Sequence, residues 1–112
     1  MKNAVDALLA LYSDRTIKKA GASLLSLPDA LKLVHDAERL AIEVVGIDGY
    51  FLRDGTIQPS SANSIYFRGT DIRREALPGN TSYDKARSFL STRGETDLYF
   101  DFDLAPGFSQ TH

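Results

Sequence analysis

The stretch Glu95-Thr96-Asp97-Leu98-Tyr99-Phe100-Asp101-Phe102-Asp103-Leu104 decides the fold. Leu98, Phe100, Phe102 and Leu104 fall on one side of an extended chain, and Glu95, Asp97, Tyr99, Asp101 and Asp103 on the other. Successive strand side chains point to opposite faces, so this alternation predicts a half-buried β-strand over residues 95–104. The even-numbered side is an apolar, aromatic core wall. The odd-numbered side is an acidic ridge with one tyrosine at its centre.

A strand with one wet face needs helices on its other face. Upstream, Tyr83, Ala86, Phe89 and Leu90 recur at helical spacing behind the capping box Thr81-Ser82-Tyr83-Asp84, which predicts a helix that Gly94 ends. Residues 70–80 are polar and close on the turn Pro78-Gly79-Asn80. Ser64 to Arg68 reads as a further strand. Ile47 to Leu52 reads as another, followed by Asp54-Gly55, a pair suited to a type I′ hairpin turn. Thr56-Ile57 begins the return, Pro59 interrupts it, and Gln58 to Asn63 forms a loop.

The most regular helical pattern is Ala30, Leu33, Val34, Ala37, Leu40, Ala41, Val44 and Val45, with Gly46 as the stop. Ser26-Leu27-Pro28-Asp29 supplies its capping box. Lys32/Asp36 and Arg39/Glu43 stand at ion-pairing spacing on the opposite face. Val5, Leu8, Leu9 and Tyr12 predict a first helix over residues 3–12, and residues 13–27 read as a loop with at most a turn of helix. The expected order is α, loop, α, β, β, α, β. It gives an α+β domain with a small antiparallel sheet of three to four strands and about three helices packed mainly on one face. The 112 residues fit a single domain, with residues 105–112 as a tail.

The chain has no cysteine, which removes disulfides and thiolate metal sites. The apolar run from Ala7 to Leu11 is too short for a signal peptide or a membrane span, so a cytoplasmic protein without a membrane partner is expected. Net charge is −2, which argues against a nucleic-acid partner. Residues 53–93 carry seven Arg or Lys against four Asp or Glu, whereas residues 94–112 carry four acids and no Lys or Arg.

No catalytic motif emerges. His35 lies on the polar face of the second helix and His112 is terminal, so no Ser–His–Asp or Cys–His set assembles. Asp101-Phe102-Asp103 lacks the further converging oxygens that a cation site needs. No glycine pattern cradles phosphate. We therefore expect no enzyme activity, no cofactor and no metal. The acidic ridge has two readings. It is a solvated face neutralised by arginines such as Arg53 or Arg68, or it is a docking surface for a cationic partner with Tyr99 as a rigid aromatic centre.

The layout resembles the small immunity proteins of bacterial polymorphic-toxin and contact-dependent growth-inhibition systems. The matching features are the helix Ala30 to Val45 running into Val45-Gly46-Ile47-Asp48-Gly49-Tyr50, the Asp54-Gly55 turn, the short helix Tyr83 to Leu90, and the strand Tyr99-Phe100-Asp101-Phe102-Asp103. They span roughly residues 28–104 as a pattern of elements, without a catalytic signature. The resemblance implies a non-enzymatic inhibitor, monomeric when free, that binds and neutralises a cognate toxin domain, with a nuclease as the expected target. Nuclease active sites are cationic because they hold phosphates. An acidic strand with a tyrosine would mimic that polyanion. Our reading of the strand places the partner-binding centre at Asp97, Tyr99, Asp101 and Asp103, with Glu95, Asp48 and Tyr50 nearby. The rival expectations are a domain that self-associates through the C-terminal strand and a small enzyme using the aspartates.

Overall fold

The computed structural model describes residues 3–67 and 81–106. In chain order the elements are α1 (Ala4–Ala10), β1 (Ile17–Lys19), β2 (Ala22–Leu24), α2 (Leu27–Arg39), β3 (Ile42–Arg53), β4 (Thr56–Tyr66), α3 (Ser82–Ser91) and β5 (Leu98–Pro106). The result is a mixed α+β globule with two antiparallel sheets, one of two strands (β1-β2) and one of three in the order β4-β3-β5.

The even-numbered face of β5 closes the core. Phe100 is fully buried and Leu98 nearly so, while Phe102 and Leu104 pack half-buried at the edge. Across the layer sit Ala30, Leu33, Val34 and Ala37 of α2 and Ala86 and Leu90 of α3. Phe89 meets Phe100 edge-on, with ring centroids 6.5 Å apart. Both long helices cover the same sheet face, and the opposite face of the three-stranded sheet carries the odd-numbered side chains of β5.

β5 starts and ends later than the alternation suggested. Leu98 N–H donates to the Glu95 carbonyl (3.3 Å), and Thr96-Asp97 form a turn. Glu95 and Asp97 therefore precede the strand, although the Asp97 carbonyl still accepts from Leu52 N–H (2.9 Å). At the other end β5 runs through Ala105 and Pro106, which pair with Glu43 and Ile42. The expected tail thus begins with two strand residues, and residues 107–112 lie outside the described part.

The second helix is shorter than its apolar pattern. It ends at Arg39, and Ala41 takes a left-handed conformation with φ of 58°. That turn usually goes to glycine, because a Cβ crowds the following carbonyl. Ala41 accepts it because the next residues are worth more in the sheet. Ile42, Val44 and Ile47 are fully buried on β3, and β-branched side chains suit a pleated surface. A run from Leu40 to Val45 satisfies a helical period and an alternating one alike, so periodicity alone does not place the boundary.

The expected ion pairs change accordingly. Glu43 stands on a strand, where burial raises its pKa and the neighbouring Ser82 partly offsets the shift. Asp36 instead meets Arg39 at 3.5 Å and accepts the Tyr12 hydroxyl at 2.6 Å. The Tyr12 bond is the main reason the Asp36 pKa is lowered.

Residues 17–24 form the β1-β2 hairpin rather than a loop. Its turn uses Ala20 and Gly21, both at positive φ. Leu25 then exchanges two backbone hydrogen bonds with Phe100, at 2.8 and 2.9 Å. This places β5 between β3 and Leu25 at Phe100, where one bridge occupies the outer edge of the strand.

β4 is one strand rather than a strand, a loop and a strand. The pairs Gly49↔Ser60 and Ile47↔Ile65 leave three more residues on β4 than on β3 between them, a large bulge. The bulge folds over Gly49, where a Cβ would stand 2.1 Å from the Asn63 carbonyl oxygen. Only glycine allows that approach. Pro59 is accommodated because β4 is an edge strand, which can leave a backbone position unpaired. The Asp54-Gly55 turn is as expected, with φ of 53° and 75°. Thr81 caps α3 through Asp84 N–H at 3.1 Å. In α2, Ser26 Oγ reaches the Asp29 carboxylate at 3.3 Å rather than capping the backbone. The Pro78-Gly79-Asn80 turn and Arg68 lie outside the described residues.

Candidate functional site: an acidic, tyrosine-lined sheet face

The register of β3 on β5 builds the open face. Tyr50 pairs with Tyr99, Asp48 with Asp101, and Gly46 with Asp103. On the other flank, Tyr50 pairs with Pro59 and Gly46 with Tyr66 of β4. Three aspartates and three tyrosines therefore share one surface across three strands. Asp48, Tyr50, Tyr99, Asp101 and Asp103 come together as the sequence suggested. Glu95 and Asp97 lie just before β5, at the Thr96-Asp97 turn.

Asp97 is also engaged. Arg53 Nε donates to its carboxylate at 3.0 Å, and the same guanidinium lies 4.4 Å from the Phe51 ring centroid. The neutralising role considered for Arg53 is thus real, but it acts on Asp97 alone. Among the described residues, Asp48, Asp101 and Asp103 have no ion-pair partner.

Two carboxylates facing each other across a ladder repel. Burial raises the Asp48 pKa, and the charge of Asp103 raises it further. Burial likewise raises that of Asp101, with the Asp48 charge adding to it; the Ser23 N–H (3.5 Å) and Lys18 pull the other way. The Tyr50 hydroxyl is raised by burial and then by the Asp48 and Asp101 charges.

A raised folded-state pKa means that the neutral acid suits the fold better than the anion. The stabilising contribution of these groups is full below the ordinary aspartate value of 3.8 and is lost as pH rises through the raised value. An Asp48→Asn, Asp101→Asn variant should therefore gain stability over the parent at pH 7 and lose that advantage at pH 3. Urea unfolding of both proteins at the two pH values checks this, and an equal difference at both would contradict it.

Tyr66 is the residue that sequence reading undervalued. It is 65% exposed, and its hydroxyl donates to Asp48 Oδ1. The ring lies over Gly46, where a Cβ would stand 2.7 Å from Tyr66 Cδ1. The legible clue was a tyrosine facing away from Ile65 and Phe67 in an alternating run.

Larger hollows lie elsewhere. A shallow groove of about 520 Å³ between α1 and α2 is lined by Leu11, Arg15, Lys32, His35 and the Tyr12–Asp36 pair. Its carboxylate is already satisfied by Tyr12 and Arg39, so the groove holds no unmet acid. His35 is an exposed helix residue within it. Among the described residues, no three His, Asp or Glu side chains are grouped so as to hold a metal ion. No helix among them is long and apolar enough to cross a membrane. Comparisons with protein-family models, with curated proteins and with solved structures returned no match for the chain.

Proposed function

We propose that this domain is an immunity-type inhibitor that binds a cognate bacterial toxin domain through its open sheet face and neutralises it by covering a cationic, substrate-binding surface. The observation that carries this reading is the set Asp48, Asp101 and Asp103, without an ion-pair partner among the described residues, beside Tyr50, Tyr66 and Tyr99. Their mutual repulsion is a standing cost to the fold, and cationic groups of a partner would convert it into attraction. Tyrosines supply broad contact area with little rotamer entropy to lose, which suits the centre of an interface. Opposed charges also speed capture of a toxin that must be stopped before it acts.

The target expected from this chemistry is a nuclease, whose phosphate-binding surface is basic. The chain acts by binding, without a catalytic step, a cofactor or a metal of its own, and the setting is the cytoplasm. The proposal requires a toxin domain encoded beside this chain, and co-expression of the two tests it. Growth should be restored and a stoichiometric complex recovered. A toxin domain that stays lethal and forms no complex contradicts the proposal.

A further inference from the structure

The bulge of β4 leaves a cleft of about 190 Å³ against β3, lined by Asp48, Gly49, Tyr50, Pro59, Ser60, Ser61, Ser64 and Tyr66. Small-molecule sites usually span about 300–1,000 Å³, so this one suits the head of a single side chain better than a whole ligand. Its walls are held in place. Gly49 N–H donates to Ser64 Oγ (3.0 Å), and that hydroxyl donates to the Ser60 carbonyl (2.8 Å). Asn63 Nδ2 donates to Ser60 Oγ (2.9 Å). Tyr66 is positioned by its bond to Asp48 and by the space above Gly46.

We propose that this cleft receives one arginine side chain of the partner, its guanidinium lying against the Tyr66 and Tyr50 rings and donating to the Asp48 carboxylate. The inference rests on the reading of the open face as a partner-binding surface and names one contact within it. Three features select the occupant. Asp48 has one oxygen bonded to Tyr66 and no cation beside it among the described residues, so a fork of N–H donors completes it. Tyr50 and Tyr66 both line the cleft, and an aromatic ring takes a planar guanidinium better than an ammonium. The charge of Asp103 adds to the attraction for any cation at Asp48.

Nα-acetyl-arginine methylamide is the probe, titrated into the isotope-labelled protein and followed by NMR. Its neutral isostere Nα-acetyl-citrulline methylamide and Nα-acetyl-lysine methylamide are the comparators. The arginine probe should shift the signals of Asp48, Gly49, Tyr50, Ser60 and Tyr66 together, saturating with a Kd in roughly the millimolar range. The citrulline probe should leave them unmoved, and the lysine probe should bind more weakly. Asp48→Asn and Tyr66→Leu should each weaken the arginine probe about tenfold, with the amide spectrum otherwise retained.

Equal shifts with citrulline, equal affinity for lysine, or shifts centred on Asp101 and Asp103 instead would overturn the assignment. Failure of the cleft and failure of the wider reading are distinguishable. If reversing Asp101 and Asp103 abolishes capture of the toxin domain while the arginine probe shifts nothing, the face is the interface and the arginine cleft is wrong.

Discussion

Reversing two charges on β5, in an Asp101→Lys, Asp103→Lys variant, is expected to lower affinity for the proposed toxin-domain partner by about 100-fold or more at low salt. Each lysine would face partner cations where a carboxylate stood, and like charges brought together at an interface cost several kcal/mol. The loss should appear largely in the association rate and should shrink as salt is raised, because long-range attraction between charges is screened over about 10 Å at 0.1 M. The fold should persist. Around Asp48 the lysines exchange repulsion for attraction, against the loss of the Ser23 N–H contact to Asp101 and a new repulsion with Lys18. Circular dichroism should show the variant folded at the assay temperature. An Asp6→Lys, Asp14→Lys protein changes net charge by the same amount in and just after α1, and it should bind as the parent does. Calorimetry of the three proteins separates a local effect from one of total charge. Equal losses in the two variants would place the interface elsewhere.

Phe100→Ala should bring the largest loss of stability available on the same strand. Phe100 is fully buried, packs edge-on against Phe89, and lies opposite Gly49 at the centre of the sheet. Truncation of a buried phenylalanine costs about 3–5 kcal/mol, against a total of about 5–15 kcal/mol for an ordinary domain. For a domain near 100 residues that corresponds to roughly 12–40 °C in Tm. Phe102→Ala, two residues along the same face but only half-buried, should cost clearly less. Thermal and urea unfolding of both variants checks the order. A larger loss at Phe102 would mean that the core is not centred where Phe100 meets α3.

These two predictions concern opposite faces of one strand, and the sequence was unequally informative about them. Phe100 and Leu98 were legible as core because a period of two leaves no other face for them. Asp54-Gly55 was legible because both of its residues need positive φ, and they have it. The helix end at Arg39 was not legible. Leu40 to Val45 is apolar enough for either period, and the turn that divides them falls on Ala41 rather than on a glycine. The β1-β2 hairpin escaped because strands of three residues carry no measurable period. Pro59 and the polar Ser60 to Asn63 read as a loop because a bulge and a loop share the same residue types.

The face itself was half legible. Asp101, Asp103 and Tyr99 followed from alternation, and Asp48 and Tyr50 were placed near them. Their direct pairing depends on a register that passes through a bulge between Val44 and Gly46. A one-residue difference there would have turned Asp48 into the core. Glu95 and Asp97 continued the alternation in sequence, whereas the structure puts a turn at Thr96-Asp97 and pairs Asp97 with Arg53. Tyr66 joined the face only through the close approach that Gly46 permits.

Amide hydrogen exchange of the complex with the proposed toxin-domain partner tests the central claim most directly. New protection should fall on β3 from Gly46 to Leu52, on β5 from Tyr99 to Asp103, and on β4 around Pro59 and Tyr66, with α1 and α2 unchanged. Protection confined to the α1–α2 groove, with the open sheet face exchanging as it does in the free protein, would contradict the account.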